Sequence, residues 1–370
     1  MGLLLLLFTI PPCVAVATTT TCNIGTRPSP LAMVQAKAVA QVLQAANPSL
    51  CTNIVPISAA GDISGQNKEN TSVVLLQDQP LALQQADFTG ALDQALNEGK
   101  IDVAVHSFKD IPPNARWQYS EDFAWMCPLP RENPVDVLVG AESLESLLLK
   151  SQPRIKIGTS SIRRQAQLRH QLRTLQQQHA AGMDNNNTIS PALELVNLRG
   201  NLETRLSVLN EGVVDALVLA KAGLKRLGIV TNDNKESSSL VISELPTDII
   251  LPGLCQGIVA AVYRKSDPSI NAWTIPQDHS ATMAAHAERA FLNALDEISP
   301  WTGRPPLAGL LEQQNGGWKF RGLLARPDGT RVLRVQGSLP VDASELDAAS
   351  LGTRLGLELK DMTGSNFLNE

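Results

Sequence analysis

The sequence is poor in aromatic residues and in closely spaced cysteines. Only 4% of its 370 residues are Phe, Trp or Tyr, too few to form the stacking surface on which single-stranded nucleic acids bind. The net charge of −5 also argues against nucleic-acid binding. No two cysteines form a CxxC pair, which argues against a zinc site or a dense disulfide framework and favours buried free thiols. The five cysteines are Cys13, Cys22, Cys51, Cys127 and Cys255.

The N-terminus has no Lys or Arg ahead of its apolar run, residues 3–8. Ala15 and Ala17 form an A-x-A-like cleavage signal, so we expect residues 1–17 to be a secretory-type signal segment that is cut after Ala17. The apolar run is short and is followed by Pro11 and Pro12, so we do not expect it to span a bilayer.

From Asn23 onward, short apolar runs alternate with helical patterns, which predicts parallel α/β units. Ser29 and Pro30 predict the N-cap and first residue of a helix that continues to Asn47. The segments IGTR (24–27) and IGTS (157–160) both end a predicted strand, which is consistent with two domains of related design. The predicted strands are CNIGT, TNIVPIS, IDVAVHS, VDVLVG, RIKIGTS, LELVNLRG and DALVLA.

The last hundred residues have a different pattern. WKFRGLLA and RVLRVQGS flank the turn signal RPDGT (326–330), which predicts antiparallel strands, and a helical pattern follows. We therefore predict an α/β chain with two α/β domains around a cleft and a smaller C-terminal α+β domain. The expected boundaries are 23–128 with 247–268 for domain 1, 129–246 for domain 2 and 275–370 for domain 3.

Acidic residues are missing between Glu145 and Asp184. Arg163 and Arg164 fall in the first turn of a predicted helix, where the helix dipole disfavours cations by some tenths of a kcal/mol. Two cations together indicate that an anion offsets this cost, and the hydroxyl-rich Thr159-Ser160-Ser161 before them suits a carboxylate pocket. The bases of the interval are Lys150, Arg154, Lys156, Arg163, Arg164, Arg169 and Arg173.

Cations also follow other predicted strands. In open α/β sheets, ligands bind beyond the carboxyl ends of the strands, so we expect these cations to converge on one cleft and to bind a ligand with several carboxylates. Asp110 would be the lone acid among them, an anion able to hold an N–H group or to stabilise a developing positive charge. The cations are Arg27, Lys109, Arg163, Arg164, Arg199, Arg205 and Arg226.

Seven ordered segments resemble the porphobilinogen deaminase (hydroxymethylbilane synthase) family, over about residues 23–335. They are IGTRPSPLAM, VAVHSFKDIP, IGTSSIRRQAQL, NLRGNLETRL, LAKAGLKRLG, LPGLCQGIVA and AERAFLNAL. The resemblance implies two domains similar to periplasmic binding proteins, facing across a cleft, and a third domain that carries the cofactor.

The resemblance also implies an activity in tetrapyrrole (haem and chlorophyll) biosynthesis. Four porphobilinogen units would be condensed head to tail, with loss of ammonia at each step, to give hydroxymethylbilane. The chain would grow on a dipyrromethane cofactor linked to a cysteine by a thioether. Each pyrrole carries an acetate and a propionate, which agrees with the predicted cluster of cations.

Site residues follow from the resemblance by position. Asp110 matches the catalytic aspartate, which stabilises the positive azafulvene left by ammonia and positions the pyrrole N–H groups. The positions that match cofactor and substrate binding are Arg27, Ser29, Ser107, Lys109, Thr159, Ser161, Arg163, Arg164, Arg199, Arg205 and Arg226.

The sequence departs from the family pattern at two places. The cofactor-bearing cysteine position falls near Gly303, and no cysteine occurs after Cys255. The glycine-rich lid with its lysine is replaced by residues 83–88, LQQADF, and residues 66–89 contain no glycine. A thioether needs a thiolate, so covalent attachment is not expected from Gly303.

Three hypotheses remain open. The chain is an active synthase that holds its cofactor without a covalent bond, or a paralogue that binds pyrrole carboxylates without turnover, or a sequence with gene-prediction errors at residues 66–87 and 296–303. We expect a plastid location reached through the secretory-type signal, a monomer, porphobilinogen as the small-molecule partner, and no metal site.

Overall fold

The computed structural model describes most of the chain in three sheets with covering helices. Two sheets have five strands and the third has three. The described residues are 20–58, 89–112, 122–148, 152–182, 192–198, 200–230, 240–296, 305–363 and 367.

The first sheet has the order β2-β1-β3-β10-β4 and forms domain 1. Strands β1, β2 and β3 are parallel, and β10 runs antiparallel to both β3 and β4. Helix α1 buries Ala36, Val39 and Leu43 against this sheet, and Ser29 caps it as the sequence predicted. The elements are β1 (Thr20–Thr26), α1 (Pro30–Ala46), β2 (Leu50–Pro56), α2 (Gly90–Asn97), β3 (Val103–Ser107), β4 (Phe123–Met126) and β10 (Val259–Arg264).

The second sheet has the order β7-β6-β8-β5-β9 and forms domain 2. Strands β6, β7 and β8 are parallel, and β5 runs antiparallel to β8 and β9. The elements are β5 (Asp136–Val139), α3 (Leu144–Leu148), β6 (Arg154–Gly158), α4 (Ile162–Gly182), β7 (Ala192–Val196), α5 (Leu202–Asn210), β8 (Ala216–Ala220), α6 (Lys221–Arg226) and β9 (Ile242–Leu245).

The two sheets repeat one design. In each, the first parallel strand lies between the second and third, and an antiparallel strand follows the third. The echoed glycines lie at similar places. Gly25 is the last residue but one of β1 and lies close to Ile101, and Gly158 is the last residue of β6 and lies close to Leu198. A Cβ at either glycine would overlap the neighbouring side chain. The predicted parallel arrangement holds for the other predicted strands but not for β5, and β10 is antiparallel to its neighbours as well. The chain enters each of these two strands directly from the other domain.

Two connecting segments join the domains. The entry segment (residues 127–135) leads from β4 to β5, and the return segment (residues 246–258) leads from β9 to β10. They run side by side, since Glu132 N–H donates to the Gly257 carbonyl at 3.0 Å and Arg131 Nε donates to the Gln256 carbonyl at 2.9 Å.

Domain 3 is an antiparallel sheet, β11-β12-β13, covered by two helices. Helices α8 and α9 pack at close range because α9 presents glycines to α8: a Cβ on Gly356 would lie 2.6 Å from the Ala294 Cβ. Ala348, Leu351 and Leu355 complete the buried face of α9. The elements of domain 3 are α8 (His279–Asp296), β11 (Leu307–Gln314), β12 (Gly317–Ala325), β13 (Val332–Pro340) and α9 (Glu345–Thr363). They follow α7 (Pro268–Asn271), whose Ile270 packs in the core of domain 1.

The architecture confirms the predicted fold class, two α/β domains with a smaller α+β domain. The predicted domain boundaries stay a prediction, and residues 1–17 lie outside the described residues. Among the described helices, none combines the length and apolar character needed to cross a bilayer. The described residues also contain no cluster of three or more His, Cys, Asp or Glu side chains arranged to hold a metal ion.

Candidate active site at the facing strand ends

The predicted site residues of domain 1 lie at the carboxyl ends of its central strands. Strand β3 ends at Ser107, and a 3-10 turn from Phe108 to Asp110 carries Lys109 and Asp110. Phe108 is fully buried, and its N–H donates to the Ile258 carbonyl at 3.0 Å. The strand is followed by this turn, which places the charged side chains of Lys109 and Asp110 at the edge of the sheet.

Domain 2 brings cations to the same place. The charges of Asp110, Arg164, Asp136 and Arg163 all act on Lys109, and those of Arg164 and Asp110 act on Arg205. The structure thus brings Lys109 and Asp110 of domain 1 together with Arg163, Arg164 and Arg205 of domain 2. We call the space between these two strand edges the cleft.

A buried carboxylate, Asp136, lies between the two arginines that open α4. Arg163 Nη1 forms an ion pair with it at 2.7 Å. Arg164 donates to Asp136 Oδ1 from Nη2 at 2.8 Å and from Nε at 3.1 Å. Asp136 is fully buried, and only 7% of Arg163 and 6% of Arg164 is exposed. The anion that the sequence required beside these arginines is therefore present as a residue of the protein itself.

Asp136 corrects the expectation that Asp110 is the lone acid among the cations. Burial alone would raise the pKa of Asp136, but the charges and hydrogen bonds of Arg163 and Arg164 outweigh it and hold the pKa well below its usual range. Sequence reasoning missed this residue. The available signal was a carboxylate at the head of the apolar strand VDVLVG, since a buried acid needs a cationic partner.

The remaining donors of the two arginines go to backbone carbonyls. Arg163 Nη1 donates to the Leu251 carbonyl at 2.7 Å, and Arg164 Nη1 donates to the Val218 carbonyl at 2.9 Å. The Leu251 carbonyl also accepts from Gln167 Nε2 at 3.0 Å. The cluster therefore fastens the return segment to α4, in addition to placing positive charge near the cleft.

Lys109 and Arg205 are more accessible than that cluster. Both are partly exposed. Burial lowers the pKa of Lys109, with Arg164 and Arg163 adding to this and Asp110 and Asp136 opposing it. Burial, and after it the charge of Arg164, lower the pKa of Arg205 to about 10. Arg205 therefore remains a cation at neutral pH, suited to bind carboxylates.

Other predicted residues are placed around this centre. Arg27 follows β1, and its charge acts on the buried His106 of β3. Arg226 is directed to the connecting segments, where Nη2 donates to the Gly257 carbonyl at 2.8 Å. Arg199, Gly303 and residues 83–88 lie outside the described residues.

The predicted hydroxyl groups already have partners within the protein. Ser107 Oγ hydrogen-bonds to the Gln35 side chain, with Gln35 Nε2 at 2.9 Å. Ser29 Oγ accepts from Ala32 N–H at 3.4 Å at the start of α1, and Thr159 Oγ1 accepts from Ser161 N–H at 3.3 Å. These contacts set the strand ends in place.

Comparison with known proteins identifies the family. A family model described as the dipyrromethane cofactor-binding domain of porphobilinogen deaminase matches residues 22–272, more than half of the chain. The chain belongs to the porphobilinogen deaminase family. Members of this family are hydroxymethylbilane synthases, a class of transferase, and the matched stretch contains all the predicted site residues of the cleft.

Two curated relatives extend the match beyond residue 272. The chloroplastic porphobilinogen deaminase of Pisum sativum is 36% identical over 358 residues, which cover 94% of this chain and 83% of that protein. The chloroplastic porphobilinogen deaminase of Oryza sativa subsp. japonica is 34% identical over 357 residues, 94% of this chain and 85% of that protein. The porphobilinogen deaminase family resemblance seen in the motifs is therefore confirmed.

The cleft has residues suited to bind the carboxylates of the dipyrromethane cofactor of this family, but the described thiols are poorly suited to its covalent attachment. Lys109, Arg205 and Arg27 offer cations suited to the acetate and propionate groups of two pyrroles. The buried thiols do not fit a thioether anchor: burial raises the pKa of Cys22 to about 12 and that of Cys127 well above its usual range. Cys255 is also buried, and Cys51 is exposed on β2. The carboxylate-binding residues fit the cofactor, and these four thiols supply no evident attachment point.

Proposed function

We propose that the chain is a hydroxymethylbilane synthase, which condenses four porphobilinogen units head to tail with release of ammonia. The observation that carries the proposal is the position of Asp110. This carboxylate lies in the turn at the end of a central strand, and its charge acts on cations of both domains, Lys109 in the same turn and Arg205 of domain 2. A substrate with two carboxylates and one positively charged reaction centre suits this arrangement.

Asp110 would act on the pyrrole ring. When the aminomethyl C–N bond breaks, ammonia leaves with the bonding electrons and the pyrrole becomes a cationic azafulvene. A fixed carboxylate beside the pyrrole N–H stabilises this charge as it develops. The free α-carbon of the pyrrole bound before it would then attack the methylene carbon and lose its proton, so a carbon–carbon bond replaces the carbon–nitrogen bond.

The cations would bind and orient the side chains of the pyrroles. Lys109, Arg205 and Arg27 are assigned to carboxylate binding, as is Arg199. Arg163 and Arg164 would contribute positive charge from their buried position beside Asp136. Ser29, Ser107, Thr159 and Ser161 would hold the strand ends that carry these side chains, and Arg226 would hold the connecting segments. The bound cofactor would supply the first nucleophilic pyrrole carbon.

The test is turnover of porphobilinogen by purified protein. Wild type should release ammonia and form a linear tetrapyrrole, which closes to a porphyrinogen with loss of water and is then oxidised to a porphyrin by added iodine or air. Asp110→Asn should reduce the rate by at least about 100-fold, as expected when a positioned transition-state charge is lost. Circular dichroism and the unfolding midpoint of Asp110→Asn provide the folding control. Absence of turnover in folded wild type would overturn the proposal.

A second candidate is a protein that binds pyrrole carboxylates without turnover. The observation that favours it is the lack of any cysteine after Cys255 together with the burial of Cys22, Cys127 and Cys255. Calorimetric titration with porphobilinogen, combined with an ammonia assay, separates the two candidates. The second candidate predicts that porphobilinogen binds but that no ammonia is released. Intact-mass measurement adds a second discriminator, since a covalent two-pyrrole adduct contradicts an untethered cofactor.

We also propose a plastid location, supported by the two chloroplastic relatives, and a secretory-type signal in residues 1–17. Imaging of a fluorescent fusion, with and without these residues, tests both. A monomer is expected, and sedimentation velocity of the purified protein is the corresponding measurement.

A further inference from the structure

Arg289 of α8 reaches from domain 3 into the backbone that follows the catalytic turn. Its Nη1 donates to the Ile111 carbonyl at 2.8 Å, and its Nη2 donates to the Pro112 carbonyl at 2.8 Å. The side chain is almost fully buried, with 6% of the residue exposed. A buried guanidinium is costly unless its donors are used, so these two hydrogen bonds fix the position of Ile111 and Pro112 relative to α8.

The start of the same turn is fixed as well. The Phe108 ring is fully buried, lies edge-on to Trp125 at 5.2 Å between ring centres, and has the Arg289 guanidinium carbon 5.4 Å from its centre. Arg289 therefore contacts Phe108, Ile111 and Pro112. Only Lys109 and Asp110 lie between these contacts.

The guanidinium group suits this task better than an ammonium group would. It is planar, so it donates two hydrogen bonds in a fixed fork and packs on an aromatic face at the same time. Lysine would keep the charge and could reach one carbonyl, but it could not hold both carbonyls in a fixed relation. The sequence after the turn is Pro112-Pro113, which lacks N–H groups, so this backbone cannot be fixed by sheet pairing of its own amides.

The preceding residue of α8 holds the connecting segments. Glu288 is fully buried and accepts from Arg131 Nη1 at 2.6 Å and Nη2 at 3.2 Å. It also accepts from the N–H groups of Cys255 and Leu311. Two adjacent residues of one helix thus fix the junction between the domains and the turn that carries Asp110.

We propose that Arg289 is a positioning residue, which sets the place of the Asp110 carboxylate in the cleft by holding its turn against domain 3. The inference rests on the proposed function for the role of Asp110 in turnover. Of the three cations assigned to carboxylate binding, Lys109 shares the turn with Asp110 and would move with it, whereas Arg205 and Arg27 lie on other elements. Loss of Arg289 should therefore affect the reaction step more than substrate binding.

The test variant is Arg289→Lys, and the matched control is Arg326→Lys. Arg326 has the same kind of surroundings elsewhere in domain 3: Nε donates to the Phe367 carbonyl at 3.0 Å, and its guanidinium carbon lies 5.5 Å from the Phe367 ring centre. Both variants lose a cation–ring contact and a hydrogen bond to a carbonyl. Only the first loses them next to Asp110.

Two measurements decide the inference. Hydrogen–deuterium exchange of the peptide 103–112 should become faster in Arg289→Lys and stay unchanged in Arg326→Lys. In steady-state ammonia release, kcat of Arg289→Lys should fall about 10- to 100-fold, as expected for a displacement of about 1 Å at a reacting group, while KM changes less than about threefold.

The outcomes separate this inference from the proposed function. Unchanged exchange at 103–112 in Arg289→Lys overturns it whatever the activity, because the turn is then held without Arg289. Unchanged kcat in an active enzyme also overturns it. If wild type shows no turnover, the proposed function fails, and faster exchange confined to Arg289→Lys still supports the role of Arg289 in holding the turn.

Discussion

Replacing Asp136 by asparagine should destabilise the protein strongly, because it leaves two buried guanidinium groups without their counter-ion. The carboxylate is fully buried, forms ion pairs with Arg163 at 2.7 Å and Arg164 at 2.8 Å, and accepts from Gln256 Nε2 at 2.9 Å. Asparagine keeps the shape of the side chain, but it removes the charge and replaces one acceptor oxygen by an NH2 donor that faces N–H donors of the protein. The perturbation is therefore electrostatic, with little change in packing.

The expected loss is about 3–5 kcal/mol, the range measured when one member of a buried ion pair is removed. At about 2–4 °C per kcal/mol for domains of 150–250 residues, this is a fall in unfolding midpoint of about 6–20 °C. The loss should persist across the working range of pH. Asp136 has a pKa well below its usual value, so its stabilising contribution is present above the unfolded pKa near 3.8 and is lost only as the pH falls through the still lower folded pKa.

Scanning calorimetry at neutral pH measures the midpoint, with Asp342→Asn as the control. Asp342 is exposed, so its replacement should change stability by less than about 0.5 kcal/mol. A second variant, with Asp136→Leu, Arg163→Met and Arg164→Met combined, should recover part of the loss, since no buried charge is left. If Asp136→Asn unfolds within about 1 kcal/mol of wild type, the two arginines do not depend on Asp136 and the reasoning fails.

Three further predictions follow from buried groups. Burial, and then the charge of Arg27, lower the pKa of His106 from 6.5 to about 4, with Asp93 4.0 Å away. Because the unfolded chain then binds a proton that the folded protein does not, the free energy of unfolding should fall by up to about 3 kcal/mol as the pH drops from 6.5 to 4. His106→Gln should remove that part of the pH dependence of the urea midpoint. Gly25→Ala should lower the free energy of urea unfolding by about 1–3 kcal/mol, because the new Cβ overlaps the Ile101 side chain. Gly212 is the control: it is exposed, with open space around it and a φ of +70. Gly212→Ala should therefore cost only the strain of that backbone conformation. Among the four described thiols, peptide mapping after brief alkylation of native protein should find Cys51 modified and the three buried ones intact; early modification of a buried thiol would contradict their placement.

Local signals predicted the elements that carry the site. Ser29 and Pro30 marked the start of α1, and the apolar run IDVAVHS marked the strand β3 that leads to Asp110. These signals act within a few residues, so they can be recognised without knowing the fold. The direction of β5 and β10 could not be recognised in this way, because it depends on which domain the chain comes from.

The partners of the buried charges were harder to predict. Asp136 could be noticed as a carboxylate heading an apolar strand, but its pairing with α4 joins residues 27 or more positions apart and depends on the packed sheet. Arg289 leaves an even weaker signal, since it binds the carbonyls of Ile111 and Pro112. Every residue has a backbone carbonyl, so the side chains of Ile111 and Pro112 give no indication that an arginine binds there.

The geometry of the cleft is set largely by charged residues that need not touch a ligand. Asp136 and Arg163 fasten the return segment to domain 2, Glu288 joins that segment to domain 3, and Arg289 joins domain 3 to the turn of Asp110. All four are buried, and removing the ion-pair partner of Asp136, Arg163 or Glu288 should destabilise the protein. Loss of activity after mutation of an arginine in this family motif therefore does not by itself identify a ligand contact. The stability of the variant and the separate effects on kcat and KM are needed to distinguish a residue that binds the pyrrole carboxylates from one that holds Asp110 in place.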